Sequence, residues 1–236
     1  MTSAPVPTQD QAELAARLSE IDERISDAAR RAGRDVGELT RIVVTKFHPA
    51  SLVRDLRAIG VQEVGENRQQ ELSSKQAALA DLDVRWHFIG QGQTNKAAAI
   101  RRSADAVHSV DRQKFADALH RAAEGDDVLD VLVQINLTDD AARGGVAPAE
   151  AAALAEHVLT LPSLRLRGVM AVAPLDEEPA SAFARLRSTA DEVRTVDPSA
   201  TWISAGMTGD FAEAIAAGAT HLRIGSAITG PRPDRG

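Results

Sequence analysis

The sequence predicts an α/β fold: a single (β/α)8 barrel of the TIM type, preceded by one extra helix. Three observations predict it. Eight short apolar runs recur along the chain. A segment of helical periodicity separates each consecutive pair. The alternation occupies 236 residues, close to the roughly 250 of a typical barrel of this kind. The same alternation would serve a doubly wound open sheet; the count of eight and the leading helix favour the barrel.

Residues 1–10, MTSAPVPTQD, read as a flexible tail with prolines at Pro5 and Pro7. Over residues 11–34, Leu14, Leu18, Ile21 and Ile25 line one helical face, with Asp10 as its expected cap. Strands are expected at 41–46 (RIVVTK), 62–67 (QEVGEN), 85–90 (RWHFIG), 105–110 (DAVHSV), 130–136 (DVLVQIN), 166–172 (LRGVMAV), 201–206 (TWISAG) and 221–226 (HLRIGS). The second carries one aliphatic residue and is the weakest pattern. Between them, Leu52, Val53, Leu56 and Ile59 share one helical face, as do Phe115 with Leu119, and Leu154 with Val158 and Leu161. Phe183, Leu186 and Val193 line another, and Phe211 with Ile215 a last one that stops at Gly218. No low-complexity linker interrupts the pattern, so residues 11–230 form one expected unit and 231–236 a second flexible tail.

Composition narrows the function. A net charge of -7 argues against a nucleic-acid partner, which would favour a basic face. No apolar run approaches the roughly 18 residues of a membrane span, and the N-terminus has no secretory pattern. Cysteine is absent, which removes disulfides, thiolate metal sites and cysteine nucleophiles. The expected compartment is the cytoplasm. The six histidines show no paired metal-ligand spacing; His120 and His157 read as solvated helix residues. No G-x-S-x-G elbow occurs. GQGQTN after a strand, with Asp111 about twenty residues on, imitates a dinucleotide fingerprint, but Asn95 stands at the third glycine position.

Chemistry in such a barrel belongs at the C-terminal strand ends, with phosphate commonly held after strands seven and eight. Strand one ends in Lys46 and strand two runs into Asn67. Strand seven ends with Ser204, Gly206 and Met207, and strand eight with Arg223, Gly225 and Ser226. Glycines let a ligand approach the backbone, and exposed N–H groups at helix starts favour an anion. The two endings together make a phosphate cradle. Across the mouth from it, a lysine amine can condense with an aldehyde; partial desolvation would keep that amine neutral and nucleophilic. The simpler alternative is a strand-end lysine paired with Glu66 or Asp111.

The stretches VVTKFHP, VGENRQQEL, WHFIGQGQTNK, VHSVDR, VQINL and SAGMTGDFAEAIAAGATHLRIGSAITG resemble, in order, the signatures of the pyridoxal phosphate homeostasis protein family. The resemblance implies a barrel akin to the alanine racemase N-terminal domain. It also implies pyridoxal 5'-phosphate (PLP) bound covalently as a Schiff base on Lys46. Ser204, Gly206, Met207, Gly225 and Ser226 would hold the phosphate, Arg223 would face the pyridine nitrogen, and Asn67 would lie near the ring. The sequence departs from the family at Gln91 and Gly92, at Phe47 and at Thr229, which touches loop shape and pocket edges.

An arginine at the pyridine nitrogen disfavours its protonation and weakens the electron sink. A racemase of this architecture also needs a tyrosine from a second domain of its partner, and the chain contains no tyrosine. His87 and His108 are the remaining second-base candidates, but strand positions mark both as packed core residues. The expected role is therefore non-catalytic: a monomer that stores, buffers or delivers PLP, with apo PLP-dependent enzymes as recipients. A weak racemase-like enzyme is the alternative.

Overall fold

A computed structural model describes residues 9–232. The leading helix α1 (Gln9–Arg31) is followed by eight alternating pairs: β1 (Thr40–Val44) and α2 (Ala50–Ala58), β2 (Glu63–Glu66) and α3 (Gln69–Ala78), β3 (Arg85–Phe88) and α4 (Ala97–Ser103), β4 (Ala106–Val110) and α5 (Gln113–Arg121), β5 (Leu129–Gln134) and α6 (Ala151–Leu159), β6 (Leu164–Met170) and α7 (Pro179–Val196), β7 (Trp202–Ser204) and α8 (Phe211–Ala216), β8 (His221–Ile224) and α9 (Ser226–Thr229). The strands are parallel and close in sequence order, with β8 paired to β1. Among the described residues no helix is long and apolar enough to cross a membrane.

The predicted element order holds, and the weak second strand is real. Gly65 lets it pack: a Cβ there would sit 3.0 Å from Ile42 Cγ2. The strands end earlier than their apolar runs, because the backbone leaves the sheet at the mouth. Lys46 thus stands two residues beyond β1, and Ser226 opens α9 instead of closing β8. At the N-terminus, residues 1–8 of the expected tail lie outside the described residues. Gln9 and Asp10 already belong to α1, so Asp10 sits in its first turn and is not the cap. Residues 233–236 of the second tail also lie outside the described residues.

Alternation along each strand divides two cores. Val43, Val64, Phe88, Val107, Val131 and Leu222 face outward and pack with Leu56, Phe115, Phe183 and Phe211 of the helices. The interior is polar along its axis, holding the fully buried His87, His108 and Ser204. At its N-terminal end the Trp202 ring lies under the Arg167 and Arg85 guanidinium groups, 4.3 and 5.1 Å from its centroid. Asp130, itself buried, accepts from Arg85 and, at 2.5 Å, from Arg165.

His120 and His157 are half-buried and not simply solvated. His120 Nδ1 lies 2.7 Å from Ser163 Oγ, and His157 Nε2 lies 2.7 Å from Asp117 Oδ1.

Candidate functional site

Closure of the barrel makes β7, β8, β1 and β2 four consecutive neighbours. Every residue singled out at the strand ends lies on this arc. Ile42 pairs with Arg223 and Val43 with Ile224, so Val44 stands beside Gly225, and Lys46 follows in the next turn. Asn67 follows β2 directly, and its Oδ1 is buried with no hydrogen-bond partner among the described residues. A cavity of about 300 Å³ opens beside it, lined by Asn67, Arg68, Phe88, Gln91 and Lys96. A larger groove of about 880 Å³ runs along α7 and α8 on the outside of the barrel, away from the strand ends.

Lys46 is exposed, so the partly desolvated amine expected from sequence is not what the structure holds. The alternative ion pairs are not formed either: Glu66 binds Lys75, and Asp111 binds Arg112. Among the described residues Lys46 makes no salt bridge, and its Nζ lies 5.9 Å from the Phe47 ring centroid.

What fixes Lys46 is the backbone on either side. Thr45 Oγ1 donates to Glu66 Oε1 at 2.6 Å, while Lys75 Nζ donates to the Thr45 carbonyl at 2.8 Å and to Glu66 Oε1 at 2.5 Å. The Phe47 N–H donates to Glu71 Oε2 at 2.7 Å. Glu66 and Lys75 are buried. Loss of hydration raises the Glu66 carboxyl above its ordinary value, against the pull of Lys75. Phe47 has φ 70°, the sole positive φ of a non-glycine among the described residues. Its ring carries Arg68 and Arg232, with guanidinium carbons 5.1 and 3.9 Å from the centroid. Sequence reasoning missed Lys75 and Glu71. They lie on α3, which has almost no amphipathic pattern and buries only Leu72 and Lys75.

Arg223 points into the barrel, 5% exposed. Its Nη1 donates to Ser204 Oγ at 2.6 Å and its Nη2 to the Ala171 carbonyl at 2.8 Å. Burial lowers its pKa to about 10, so it remains a cation at neutral pH. Ser204 Oγ also meets His108 Nδ1 at 2.9 Å. Its hydroxyl, expected in the phosphate cradle, is enclosed and given over to Arg223 and His108. His87 and His108 are packed and hydrogen-bonded, as their strand positions implied.

The two glycines differ. Gly206 has φ 90°, and a Cβ there would come within 2.8 Å of Ala214 Cβ and 2.9 Å of Phe211 Cα; the β7–α8 corner requires glycine. A Cβ on Gly225 would meet nothing closer than Val44, at 3.7 Å. The protein's own packing does not call for glycine there, and the open space suits an approaching group. The exposed Ser226 begins α9 beside it, and Thr229 is buried in that helix. Met207 is exposed, and its N–H donates to Asp210 Oδ1 at 2.6 Å.

The chain matches the alanine racemase N-terminal domain family over residues 17–233. It is 42% identical over 223 residues to the pyridoxal phosphate homeostasis protein of Pseudomonas aeruginosa, covering 93% of this chain and 96% of that one. It is 38% identical over 228 residues to that of Escherichia coli, covering 93% and 97%. The solved structure of PipY from Synechococcus elongatus with PLP bound superimposes with a TM-score of 0.80 at 34% identity, covering 92% of this chain and all of that one, 100%. The alanine racemase of Corynebacterium glutamicum, 15% identical, shares the fold with a TM-score of 0.73, covering 96% of this chain and 63% of the enzyme. A closed eight-stranded barrel of the alanine racemase type, matched over nearly its whole length by these relatives, belongs to the pyridoxal phosphate homeostasis protein family.

Proposed function

We propose that this protein holds PLP as a Schiff base on Lys46 and acts in PLP homeostasis in the cytoplasm, storing, buffering or delivering this form of vitamin B6. The observation that carries the reading is the adjacency of β1 and β8. It sets Val44, two residues before the exposed Lys46, beside the open glycine turn at Gly225, with a buried cation, Arg223, on the same strand β8.

The residues fit the group. Gly225 and Ser226, with Gly206 and Met207 on the neighbouring strand end, would hold the phosphate through backbone N–H groups. Anion entry at Met207 would displace the Asp210 carboxylate that now accepts its N–H. The orphaned Asn67 Oδ1 gives the ring a polar neighbour. Arg223 would face the pyridine nitrogen, with Ser204 supporting it from behind. When bound, PLP supplies an electrophilic aldehyde and a conjugated ring that acts as an electron sink. Arg223 is a donor with no acceptor capacity and opposes protonation of a ring nitrogen it faces, which suits retention over turnover.

The same arrangement argues against racemisation. The chain has no tyrosine, and both ring nitrogens of His108 are occupied, so no second base stands ready. The protein is therefore proposed to be a monomeric, non-catalytic carrier whose recipients are apo PLP-dependent enzymes. An incoming amine can displace Lys46, so the cargo stays exchangeable.

The test is the visible spectrum of purified protein with PLP, then borohydride reduction and peptide mapping. A pyridoxyl adduct is expected on Lys46 at one per chain. An adduct on Lys75 or any other lysine overturns the assignment. Turnover of amino acids that is lost in Lys46→Ala would make the protein an enzyme.

A further inference from the structure

A continuous hydrogen-bonded chain crosses the barrel interior from its N-terminal end to Arg223. Glu63, the first residue of β2, places Oε2 2.5 Å from His87 Nε2 on β3. His87 Nδ1 lies 2.8 Å from His108 Nε2 on β4. His108 Nδ1 lies 2.9 Å from Ser204 Oγ on β7, and Ser204 Oγ receives Arg223 Nη1 at 2.6 Å. Strands β4 and β7 are not neighbours, so the His108–Ser204 contact passes through the interior. Both imidazoles and the serine are fully buried, and only Glu63 reaches the outside, with its side chain 25% exposed.

The donor inventory gives this chain one direction. A guanidinium only donates, and a carboxylate only accepts. With Glu63 accepting, His87 carries its proton on Nε2 and accepts on Nδ1. His108 then carries its proton on Nε2 and accepts on Nδ1. The Ser204 hydroxyl donates to His108, and its oxygen remains free to accept from Arg223. Every link is satisfied with neutral rings. Burial, together with His87, His221, Arg223 and Arg85 around it, holds His108 well below the usual imidazole range and so in its neutral form. The reverse direction would aim two donors, His108 and Arg223, at one serine oxygen and leave the serine proton with no acceptor in the chain.

We propose that Glu63 is the remote anchor of Arg223: through His87, His108 and Ser204 it fixes the donor direction of the chain and thereby the orientation in which the guanidinium meets the barrel mouth. All four are positioning residues. The proposal rests on the PLP reading only for what Arg223 meets there.

The test uses uniformly 15N-labelled, full-length protein and long-range imidazole correlation spectra recorded without cofactor. Wild type is expected to show His87 and His108 both protonated at Nε2. In Glu63→Met both rings should become tautomer mixtures, the Arg223 guanidinium signals should broaden, and PLP should bind at least about tenfold more weakly. Ser204→Ala should lower PLP affinity to a similar degree while leaving His87 protonated at Nε2. The double variant should bind no more weakly than Ser204→Ala alone, because both changes cut one chain. An Nδ1-protonated ring in wild type, unchanged tautomers in Glu63→Met, or additive losses in the double variant each overturn the proposal. If wild type shows the stated tautomers and binds no PLP, the cofactor reading fails and the anchor stands. Reversed tautomers in a PLP-binding wild type sink the anchor alone.

Discussion

The Glu71 carboxylate accepts the N–H of Phe47 at 2.7 Å, and the residue so held has a left-handed backbone, φ 70°. For a side chain other than glycine that conformation costs about 1–2 kcal/mol, and it recurs where a site over-determines its backbone. Here it turns the chain immediately after Lys46. Glu71→Ala should remove an anionic acceptor from a partly buried amide, lowering stability by about 1–3 kcal/mol. It should also slow adduct formation on Lys46. Urea titration and the rate of PLP absorbance change read the two effects; a normal rate in a destabilised variant would separate Glu71 from the site.

The Lys75–Glu66 pair behind Lys46 is buried on both sides. Lys75→Met strands a carboxylate in the interior and should cost about 3–5 kcal/mol, with most of it recovered by adding Glu66→Leu. The pair also has a pH signature. The folded state raises the Glu66 pKa above 4.5, so the native protein holds that proton more tightly than the unfolded chain. The associated stability is full below about 4.5 and is lost as pH rises through the folded value. Glu66→Gln should therefore gain on wild type between pH 4.5 and neutrality in parallel denaturation curves. A constant difference across that range would show that Lys75 offsets the desolvation completely.

Gly206 and Gly225 should respond to alanine in different assays. At Gly206 the added carbon clashes with Ala214 and Phe211, and φ is 90°, so Gly206→Ala should lose about 2–4 kcal/mol of stability. At Gly225 the carbon meets only Val44 at 3.7 Å. Gly225→Ala should melt near wild type yet bind PLP at least about tenfold more weakly. Wild-type affinity in Gly225→Ala would show that the turn is not a cradle.

Acid should unfold this barrel from within. His221 is pushed down to about 3 by burial, aided by His87 and the Arg85, Arg167 and Arg223 charges, and His108 is lowered further inside. Both are neutral when folded and take up protons only on unfolding. Their contribution is full above about 6.5 and falls as pH drops toward the folded values. Each adds a slope of about 1.4 kcal/mol per pH unit inside that window. Calorimetry of His221→Gln between pH 6.5 and 4.5 should show a slope shallower by about one proton; an unaltered slope would show that His221 does not carry the acid sensitivity.

The barrel and its site were legible in unequal measure. Periodicity alone found all eight strands, because outward apolar residues such as Val43 and Val107 must pack on helices whatever the interior does. The strand-end residues followed from the topology, but the sequence reading set Lys46 across the mouth from the glycine turns, whereas closure of the ring makes β1 and β8 hydrogen-bonded neighbours. Lys75 and Glu71 were invisible, since polar residues on a weakly patterned helix look solvated until the helix is docked. Ser204 ends β7 as expected, and alternation turns its hydroxyl inward to His108 and Arg223, partners that local spacing does not reveal. Glu63, His87 and His108 sat in plain strand runs, but links between non-adjacent strands leave no mark in local spacing.

Because the first and last strands are hydrogen-bonded neighbours, and Arg17 of α1 donates to the Ile228 carbonyl 211 residues away, the amine and its glycine turn meet only when the ring closes. Contacts of such separation form late in folding. In a chain made from its N-terminus, Lys46 therefore emerges long before Gly225, and the two share one strand-end arc only once β8 has paired with β1. On the proposed assignment, competence to hold the cofactor arrives only with closure of the ring.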